Sequence, residues 1–467
     1  MIRDFFHTLG EIFEDLFAQW ETWFFLFLLA LGPIILFTQA SSSGIGFQFI
    51  NFLKLTWWFW FFLIFFPLTK SIFLYWRQEL FKNSIKWVLL ELKVPRQIEK
   101  SSQTMEQILY SLHSLRNAPG DFKEKYINGE ITRWFSLEMV SFGGETHFYI
   151  RAYEKLRKMI EAAFFSYYPD IDIVEAPDYV DNLPKNVAEA YKKGLDFSGT
   201  EIILASEEVY PIKTYIDFEN IEEEKKFDPI STFLEALAKL QKDEFTGIQI
   251  LIAPVDPKEW KDKWEDFLEK LRKPTLIEFG KEGEIGTKLG VRSPGQTDIL
   301  KAVERNLSKP AFNTLIRLLY LSPKITYDKI YAKKGLIGSF NQYTALNLNS
   351  FKPNRGVTPF ATIWRKPYLF SNKRIEYRKE RLLFNYKKRE MPPASDIGRL
   401  PISSFYNWNF ASQSFKMNTE CLATLFHMPT AVVVTEPHIR HLESRRAGPP
   451  AGLSIFGEEK EIEKFNK

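Results

Sequence analysis

The sequence predicts an α+β protein with an N-terminal two-helix transmembrane hairpin. Two long apolar runs lie within the first 80 residues, and the middle of the chain alternates segments of helical and strand periodicity. After residue 349 the chain becomes basic, irregular and rich in proline. Its 467 residues are enough for two or three domains with sizeable cores.

The N-terminal 78 residues indicate a membrane anchor. Residues 1–19 carry apolar side chains at helical spacing, which predicts an amphipathic helix that lies on the membrane or on a partner. Residues 20–78 contain two apolar runs, Trp23–Thr38 and Leu55–Trp76, and each approaches the roughly 20 residues that span a bilayer. The alternatives are a buried hairpin in a soluble core and a cleaved signal peptide.

Charge bias predicts the orientation of this hairpin. Lys70, Arg77, Lys82 and Lys86 follow the second run, whereas the loop between the runs carries only Lys54. The positive-inside rule then places both termini in the cytoplasm, as in a multi-pass protein of the bacterial inner membrane. The net charge of +4 decides nothing about nucleic acid, and a single cysteine excludes an intrachain disulfide.

Residues 89–180 predict a first α+β module. Strands are expected at 91–95 and 170–176, helices at 98–115 and 154–167, and a hairpin at the glycine pair of SFGGETHF. The order β-α-β-β-α-β is the ferredoxin-like, split βαβ plan. Many RNA-binding domains share this plan and stack bases on regularly spaced aromatic residues of one strand. The segment GGETHFYIRAY lacks that spacing, so RNA binding is not predicted.

Residues 198–348 predict a second ferredoxin-like module with an inserted helix. The segments EIILASE, PIKTYIDF, TGIQILIAPV and TLIRLLYLSP have strand character. Helices are expected at 229–241, 260–271, 296–308 and 327–343. The two modules share an order of elements, but their residues do not repeat.

Residues 349–437 form the predicted basic extension. Two interpretations of its cations are open. They form the solvated face of a helix whose aliphatic side-chain stems pack against the fold, or they contact nucleic-acid phosphates or anionic lipid. The capped helix KMNTECLATLFHM, with Asn418 or Thr419 as N-cap, and the strand AVVVTEP complete it. The candidate contact residues are Arg365, Lys366, Lys373, Arg374, Arg378, Lys379, Arg381, Lys387, Lys388 and Arg389.

Residues 438–467 predict an extended tail, because closely spaced glycines and prolines disfavour helix. The tail offers few apolar side chains to a core, so we expect it to engage a partner and to add little stability. Its arginines would make electrostatic contacts and its apolar residues would be buried by the partner. The candidate docking residues are Arg440, Arg445, Arg446, Leu453, Ile455 and Phe456.

No catalytic, cofactor or metal residue is predicted. The segment GKEGEIGTKLG at 280–290 does not have the spacing of a phosphate-binding P-loop. His438 and His441 lack a third convergent ligand, although Cys421 and His427 lie upstream. The chain is therefore expected not to be an enzyme and to need no cofactor. The alternative is an enzyme whose site is not recognisable in the sequence, such as a cleft between the two modules.

Several sequence blocks resemble an uncharacterised bacterial family. They include ELKVPRQIEKSSQTMEQILYSLH, SFGGETHFYIR, PAFNTLIRLLYLSP, GLIGSFNQYTALNLNSFKPN, MNTECLATLFHMP and HLESRRAGPPAGLSIFGE. Members of that family look like the membrane-anchored N-terminal part of type IV secretion and conjugative-transfer ATPases of the coupling type. There the tail looks like the lead-in to a motor domain, but this sequence stops before a P-loop, so ATP hydrolysis is not carried over.

The resemblance implies a membrane-anchored, non-enzymatic component of a type IV secretion or DNA-transfer-like system that docks a separate motor ATPase. The alternative is a membrane-tethered nucleic-acid-binding protein that uses the 365–389 segment. The expected partners are the membrane, a P-loop ATPase or other secretion-machine subunits, with nucleic acid and further copies of the chain as open alternatives.

Overall fold

A computed structural model of the chain describes residues 45–94, 102–219, 228–273, 276–279, 286–289, 292–360, 370–392 and 411–429. The chain divides into two compact units, Met1–Leu74 and Tyr75–Lys467. Helix α1, Ile45–Ser84, begins in the first unit and ends in the second. All other described elements belong to the second unit.

The strands of the second unit are short to medium in length and are rich in β-branched and aromatic residues. In chain order they are β1 (Trp87–Lys93), β2 (Phe135–Phe142), β3 (Glu145–Tyr153), β4 (Asp172–Glu175), β5 (Leu195–Leu204), β6 (Phe245–Pro254), β7 (Leu276–Phe279), β8 (Gly286–Leu289), β9 (Ala311–Pro323), β10 (Phe351–Pro353) and β11 (Phe415–Asn418).

The helices have N-terminal caps where the sequence supplies a capping side chain. Asp256, Ser293 and Asn418 each accept a hydrogen bond from a backbone N–H of the first helical turn. The α-helices of five or more residues that follow α1 in the described chain are α2 (Ser102–Ser114), α3 (Arg157–Tyr167), α4 (Val187–Lys192), α5 (Tyr215–Glu219), α6 (Ser231–Ala238), α7 (Pro257–Arg272), α8 (Pro294–Ser308), α9 (Ser371–Lys388) and α10 (Thr419–Leu425).

One antiparallel sheet of nine strands organises the second unit. Eight strands follow the order β10-β5-β9-β6-β2-β3-β1-β4, and β11 also pairs with β9. Strands β7 and β8 form a separate two-stranded sheet. Strands β2, β6 and β9 are buried along almost their whole length, because helices cover both faces of the sheet.

The prediction of two ferredoxin-like modules is wrong. β2 pairs with β6 from Phe135 opposite Ile252 to Phe142 opposite Phe245, so the strands of both predicted modules join one sheet. Strand periodicity identifies a strand but not its distant partner. The segment PIKTYIDF is also not a strand, since its second half forms α5 and the Tyr215 N–H donates to Thr424 Oγ1.

The predicted transmembrane hairpin is wrong as well. Among the described residues, no helix is sufficiently long and apolar to cross a membrane. The second apolar run lies in α1, where Thr69 to Ser71 interrupt it and the charged residues Arg77, Glu79 and Lys82 follow within the same helix. The multi-pass inner-membrane location is therefore a wrong prediction too. The first apolar run and residues 1–19 lie outside the described residues.

The two faces of the sheet have different cores. On one face, α2, α3, α6 and α10 contribute to a large apolar cluster that includes Leu109, Phe164, Phe233 and Leu422. On the other face, α4 and α9 pack over a smaller cluster. All seven residues of α10 are buried, so this predicted helix is a central element of the fold.

Candidate functional site

A row of polar residues crosses the sheet on the face that α9 covers. Its members lie directly opposite one another on six neighbouring strands, so their side chains share one face. In order from β1 to β5 they are Glu91, Tyr149, Glu138, Gln249, Arg317 and Glu201. Buried polar groups need partners, and α9 with its flanking residues supplies several of them.

Arg389 follows α9 and contacts Glu138 in the middle of this row. Its Nε lies 2.7 Å from Glu138 Oε1, and its Nη1 lies 2.7 Å from Asp178 Oδ2. Burial alone would lower the pKa of Arg389, but Glu138, Tyr179 and Asp178 raise it well above its ordinary value. The Arg389 carbonyl also accepts a hydrogen bond of 2.8 Å from Trp134 Nε1.

Two tyrosines extend the network around Glu138. Tyr179 Oη donates to Glu138 Oε2 at 2.6 Å, and Tyr386 Oη of α9 lies 3.1 Å from Tyr179 Oη. Gln249 Nε2 donates to Tyr179 Oη at 3.2 Å. Burial, followed by the charge of Glu138, raises the pKa of the Tyr179 hydroxyl, so the hydroxyl stays protonated and can donate.

A second buried ion pair fixes the other end of the row. Arg317 Nε lies 3.2 Å from Glu201 Oε1, and Arg317 Nη1 donates to the Asn385 carbonyl of α9 at 3.1 Å. Ser412 Oγ donates to Glu201 Oε1 at 2.6 Å. Burial lowers the pKa of Arg317 and raises that of Glu201, and the attraction between the two charges opposes both shifts.

Two glycines let α9 approach the sheet closely. A Cβ at Gly247 would lie 1.8 Å from Tyr386 Oη. A Cβ at Gly199 would lie 2.1 Å from the Leu318 carbonyl oxygen of β9 and 2.9 Å from a methyl carbon of Leu382. Any larger residue at Gly247 would therefore have to move Tyr386. These glycines belong to β6 and β5, so the sheet is shaped to receive α9.

Four of the eight described cations of the predicted contact segment are buried in the fold. Arg374, Arg378, Lys379 and Arg389 are buried. Arg378 Nη1 donates to the carbonyls of Arg355 and Thr358, and Lys379 forms an ion pair with Asp196. These cations bind groups of the chain itself.

The remaining predicted contact residues are more accessible or lie outside the described chain. Lys373 is exposed, and Arg381 is half-buried with its guanidinium 5.1 Å from the centre of the Phe384 ring. Lys387 and Lys388 line a cavity. Residues lying outside the described part are Arg365, Lys366, Arg440, Arg445, Arg446, Leu453, Ile455 and Phe456.

The cavity lies where the end of α1 meets the start of β1 and the end of α9. Its volume is about 300 Å³. Basic and tryptophan side chains dominate its wall. The lining residues are Lys82, Asn83, Ile85, Trp87, Trp134, Arg151, Lys387, Lys388 and Glu390.

The described residues contain no cluster of histidine, cysteine and carboxylate side chains that could hold a metal ion. Cys421 is buried in α10, and burial raises the pKa of its thiol, which makes it a poor nucleophile. His427 is also buried, and its two ring nitrogens contact Asp228 Oδ1 and the Ala423 carbonyl. Both residues are therefore packed into the fold and contact groups of the chain itself.

A protein-family model described as a domain of unknown function, DUF8128, matches residues 76–360. The match covers more than half of the chain. The chain belongs to this family. A comparison with curated proteins finds no match.

The DUF8128 match covers β1 to β10 and begins beside the boundary of the second unit. Helix α9, strand β11 and helix α10 lie beyond the match, yet each is part of the fold around the sheet. The polar row is contributed by the DUF8128 region, whereas Arg389 and Tyr386, which contact it, come from the segment that follows.

Sequence reasoning missed the acidic partners of the basic helix in this DUF8128 chain. Glu138 is the one charged residue of the strand FSLEMVSF, and a carboxylate on a buried strand was the available signal. Asp178 precedes a short helical turn and gave no such signal. Arg151, Trp87 and Trp134 of the cavity were also missed, because they come from three separate segments.

Proposed function

We propose that this chain is a non-enzymatic subunit of a type IV secretion or DNA-transfer-like machine that docks a separate motor ATPase. The resemblance of the sequence blocks motivates the proposal. The observation that carries it is the internal use of the α9 cations, because this observation separates the docking role from the nucleic-acid role.

A nucleic-acid contact depends on cations that can reach phosphates and release counterions. Arg378, with 2% of its surface exposed, and Arg389, with 0%, cannot reach a phosphate while α9 remains packed. Lys379 also has a carboxylate partner within the fold. Three cations of the basic segment are therefore unavailable to nucleic acid while α9 remains packed. This favours the docking role over the nucleic-acid role.

The proposed docking element is the tail, residues 438–467. Arg440, Arg445 and Arg446 would meet acidic groups of the motor ATPase. The nearby apolar residues Leu453, Ile455 and Phe456 would enter a hydrophobic depression on its surface, each contributing on the order of 2 kcal/mol when fully covered.

Purification of the tagged full-length chain from its native cells tests this proposal. Quantitative mass spectrometry should find a P-loop ATPase among the co-purified proteins. The ATPase should be lost when Arg440, Arg445 and Arg446 are replaced by alanine together. The matched control replaces Lys460, Lys464 and Lys467 by alanine, which removes the same charge from the same tail and should leave the complex intact.

Two results would contradict the proposal. One is that the tagged chain co-purifies with other proteins as an intact complex, but no P-loop ATPase is among them. The other is a P-loop ATPase that is retained equally by the wild type, the triple-arginine variant and the lysine control, since the tail would then make no specific contact.

A further inference from the structure

The walls of the cavity beside α9 carry an excess of positive charge. The lining includes Lys82, Arg151, Lys387 and Lys388 but a single carboxylate, that of Glu390. Lys388 Nζ lies 3.1 Å from both Glu79 and Glu390, and Lys82 Nζ lies 2.8 Å from Glu79. Two carboxylates therefore balance Lys82 and Lys388.

Among the described residues, no carboxylate forms an ion pair with Lys387. Its Nζ donates to the backbone carbonyls of Leu183 at 3.3 Å and Pro184 at 3.5 Å. Carbonyl oxygens satisfy hydrogen bonds but carry no full charge. The positive charge of Lys387 thus remains available to a ligand in the cavity.

Arg151 is the second lining cation that forms no ion pair within 4 Å among the described residues, and Glu138, Asp178 and Glu390 act on its charge from farther away. Its guanidinium carbon lies 3.9 Å from the centre of the Trp87 ring, a distance at which a cation–π interaction is attractive. Its Nη1 is buried and has no hydrogen-bond partner among the described residues. Burial, followed by repulsion from Arg389, lowers the pKa of Arg151 to about 10. Burying a charged guanidinium is costly, and an anion bound against Arg151 in the cavity would offset that cost.

We propose that this cavity binds a small molecule bearing a phosphate dianion, held by Arg151 and Lys387. A phosphate monoester carries roughly −1.5 to −2 charge near neutral pH, which suits a site with two lining cations that form no ion pair. Its oxygens fit the donors of an arginine fork. Trp87, Trp134 and Ile85 provide an apolar wall for the organic part of an ester.

The size of the cavity favours a small ligand over a nucleic-acid strand. A volume of about 300 Å³ is at the lower end of small-molecule sites and corresponds to one compact ligand. A strand needs an extended groove that follows its backbone. This inference does not depend on the docking role, since the cavity contains no residue of the tail.

Isothermal titration calorimetry on the full-length chain tests the site with AMP, adenosine, inorganic phosphate and an oligothymidylate. AMP should bind at least about tenfold more tightly than adenosine, because the phosphate contacts a charged arginine. Comparison of AMP with inorganic phosphate shows whether the site takes an ester or free phosphate. Arg151→Gln and Lys387→Gln should each weaken the binding of the tighter of these two ligands by about tenfold or more.

Lys261→Gln is the matched control, because Lys261 is exposed on α7. It should bind like the wild type. Thermal unfolding verifies that each variant is folded, and Lys387→Gln keeps the test decisive should Arg151→Gln fail to fold.

Three results would overturn the proposal. The first is that neither AMP nor phosphate binds at millimolar concentration. The second is an affinity that Lys387→Gln leaves unchanged. The third is that the oligothymidylate binds while AMP and phosphate do not, which would assign the cations to nucleic acid.

Discussion

Arg389 Nε lies 2.7 Å from Glu138 Oε1, and both side chains are fully buried. Arg389 follows α9 near the end of the described chain, whereas Glu138 lies in the middle of β2. Their ion pair fastens the basic helix to the centre of the sheet. Because Asp178 shares the same guanidinium, the contact joins three distant segments of the chain.

Replacing Arg389 by methionine should strongly destabilise the protein. The substitution keeps much of the side-chain volume but leaves Glu138 buried without its cation. Removal of one partner of a buried pair typically costs about 3–5 kcal/mol of unfolding free energy. Urea unfolding followed by circular dichroism measures the change.

The control for this substitution is Arg355→Met, since Arg355 is exposed. It should change the unfolding free energy by less than about 0.5 kcal/mol. A loss below about 1 kcal/mol for Arg389→Met would show that the buried pair is not a main attachment of α9.

The same network predicts a loss of stability in acid. Burial by itself would raise the pKa of Asp178, but Arg389 and the Val180 N–H lower it more, so the net pKa lies below its usual value. The contribution of Asp178 to stability is therefore fully present above about pH 4 and is lost as pH falls through the lower, folded-state pKa.

Urea unfolding between about pH 6 and pH 2.5 tests this dependence. Asp178→Asn should have a flatter decline in stability than the wild type below about pH 4. Asp262→Asn, which changes an exposed aspartate on α7, should decline like the wild type. Parallel curves for the wild type and Asp178→Asn would contradict the assigned role of Asp178.

The close approach of α9 to β6 predicts a clash when Gly247 is enlarged. Gly247→Ala should lower the unfolding free energy by about 1–3 kcal/mol, because its Cβ would overlap Tyr386 Oη. Tyr386→Phe removes that oxygen, so the double variant should lose less than the sum of the two single variants. Differential scanning calorimetry on all three variants measures this coupling.

Gly295→Ala is the control for the clash, because nothing lies within 4 Å of a Cβ at Gly295 in α8. Its stability should be equal to or above that of the wild type. Strictly additive losses for Gly247→Ala and Tyr386→Phe would show that the two residues do not constrain each other.

Local chemistry allowed several elements to be predicted from the sequence. The Gly143–Gly144 hairpin between β2 and β3 is present, and both glycines have positive φ angles of 59° and 93°. Asn418 caps α10 as one of the two predicted caps. These features depend on neighbouring residues, and the sequence therefore contains the information directly.

Pairings between distant residues were not predictable in the same way. The β2–β6 pairing joins segments about 100 residues apart, and no periodicity in either strand specifies the other. The basic residues of 365–389 were recognised, but their burial depends on Glu138, Asp178 and Asp196, which lie on other elements. Charge in a sequence shows which residues need partners, and only the fold shows which partners they have.

We propose that the buried cations Arg378, Lys379 and Arg389 fasten α9 to the fold and are not a nucleic-acid contact. Fluorescence anisotropy of single- and double-stranded DNA with the full-length chain, titrated with salt, tests it most directly. We expect weak binding. The logarithm of the association constant should change little with the logarithm of salt concentration, corresponding to fewer than about two phosphate contacts. A slope equivalent to about four or more contacts, reduced by Lys373→Ala and Arg381→Ala, would contradict the claim.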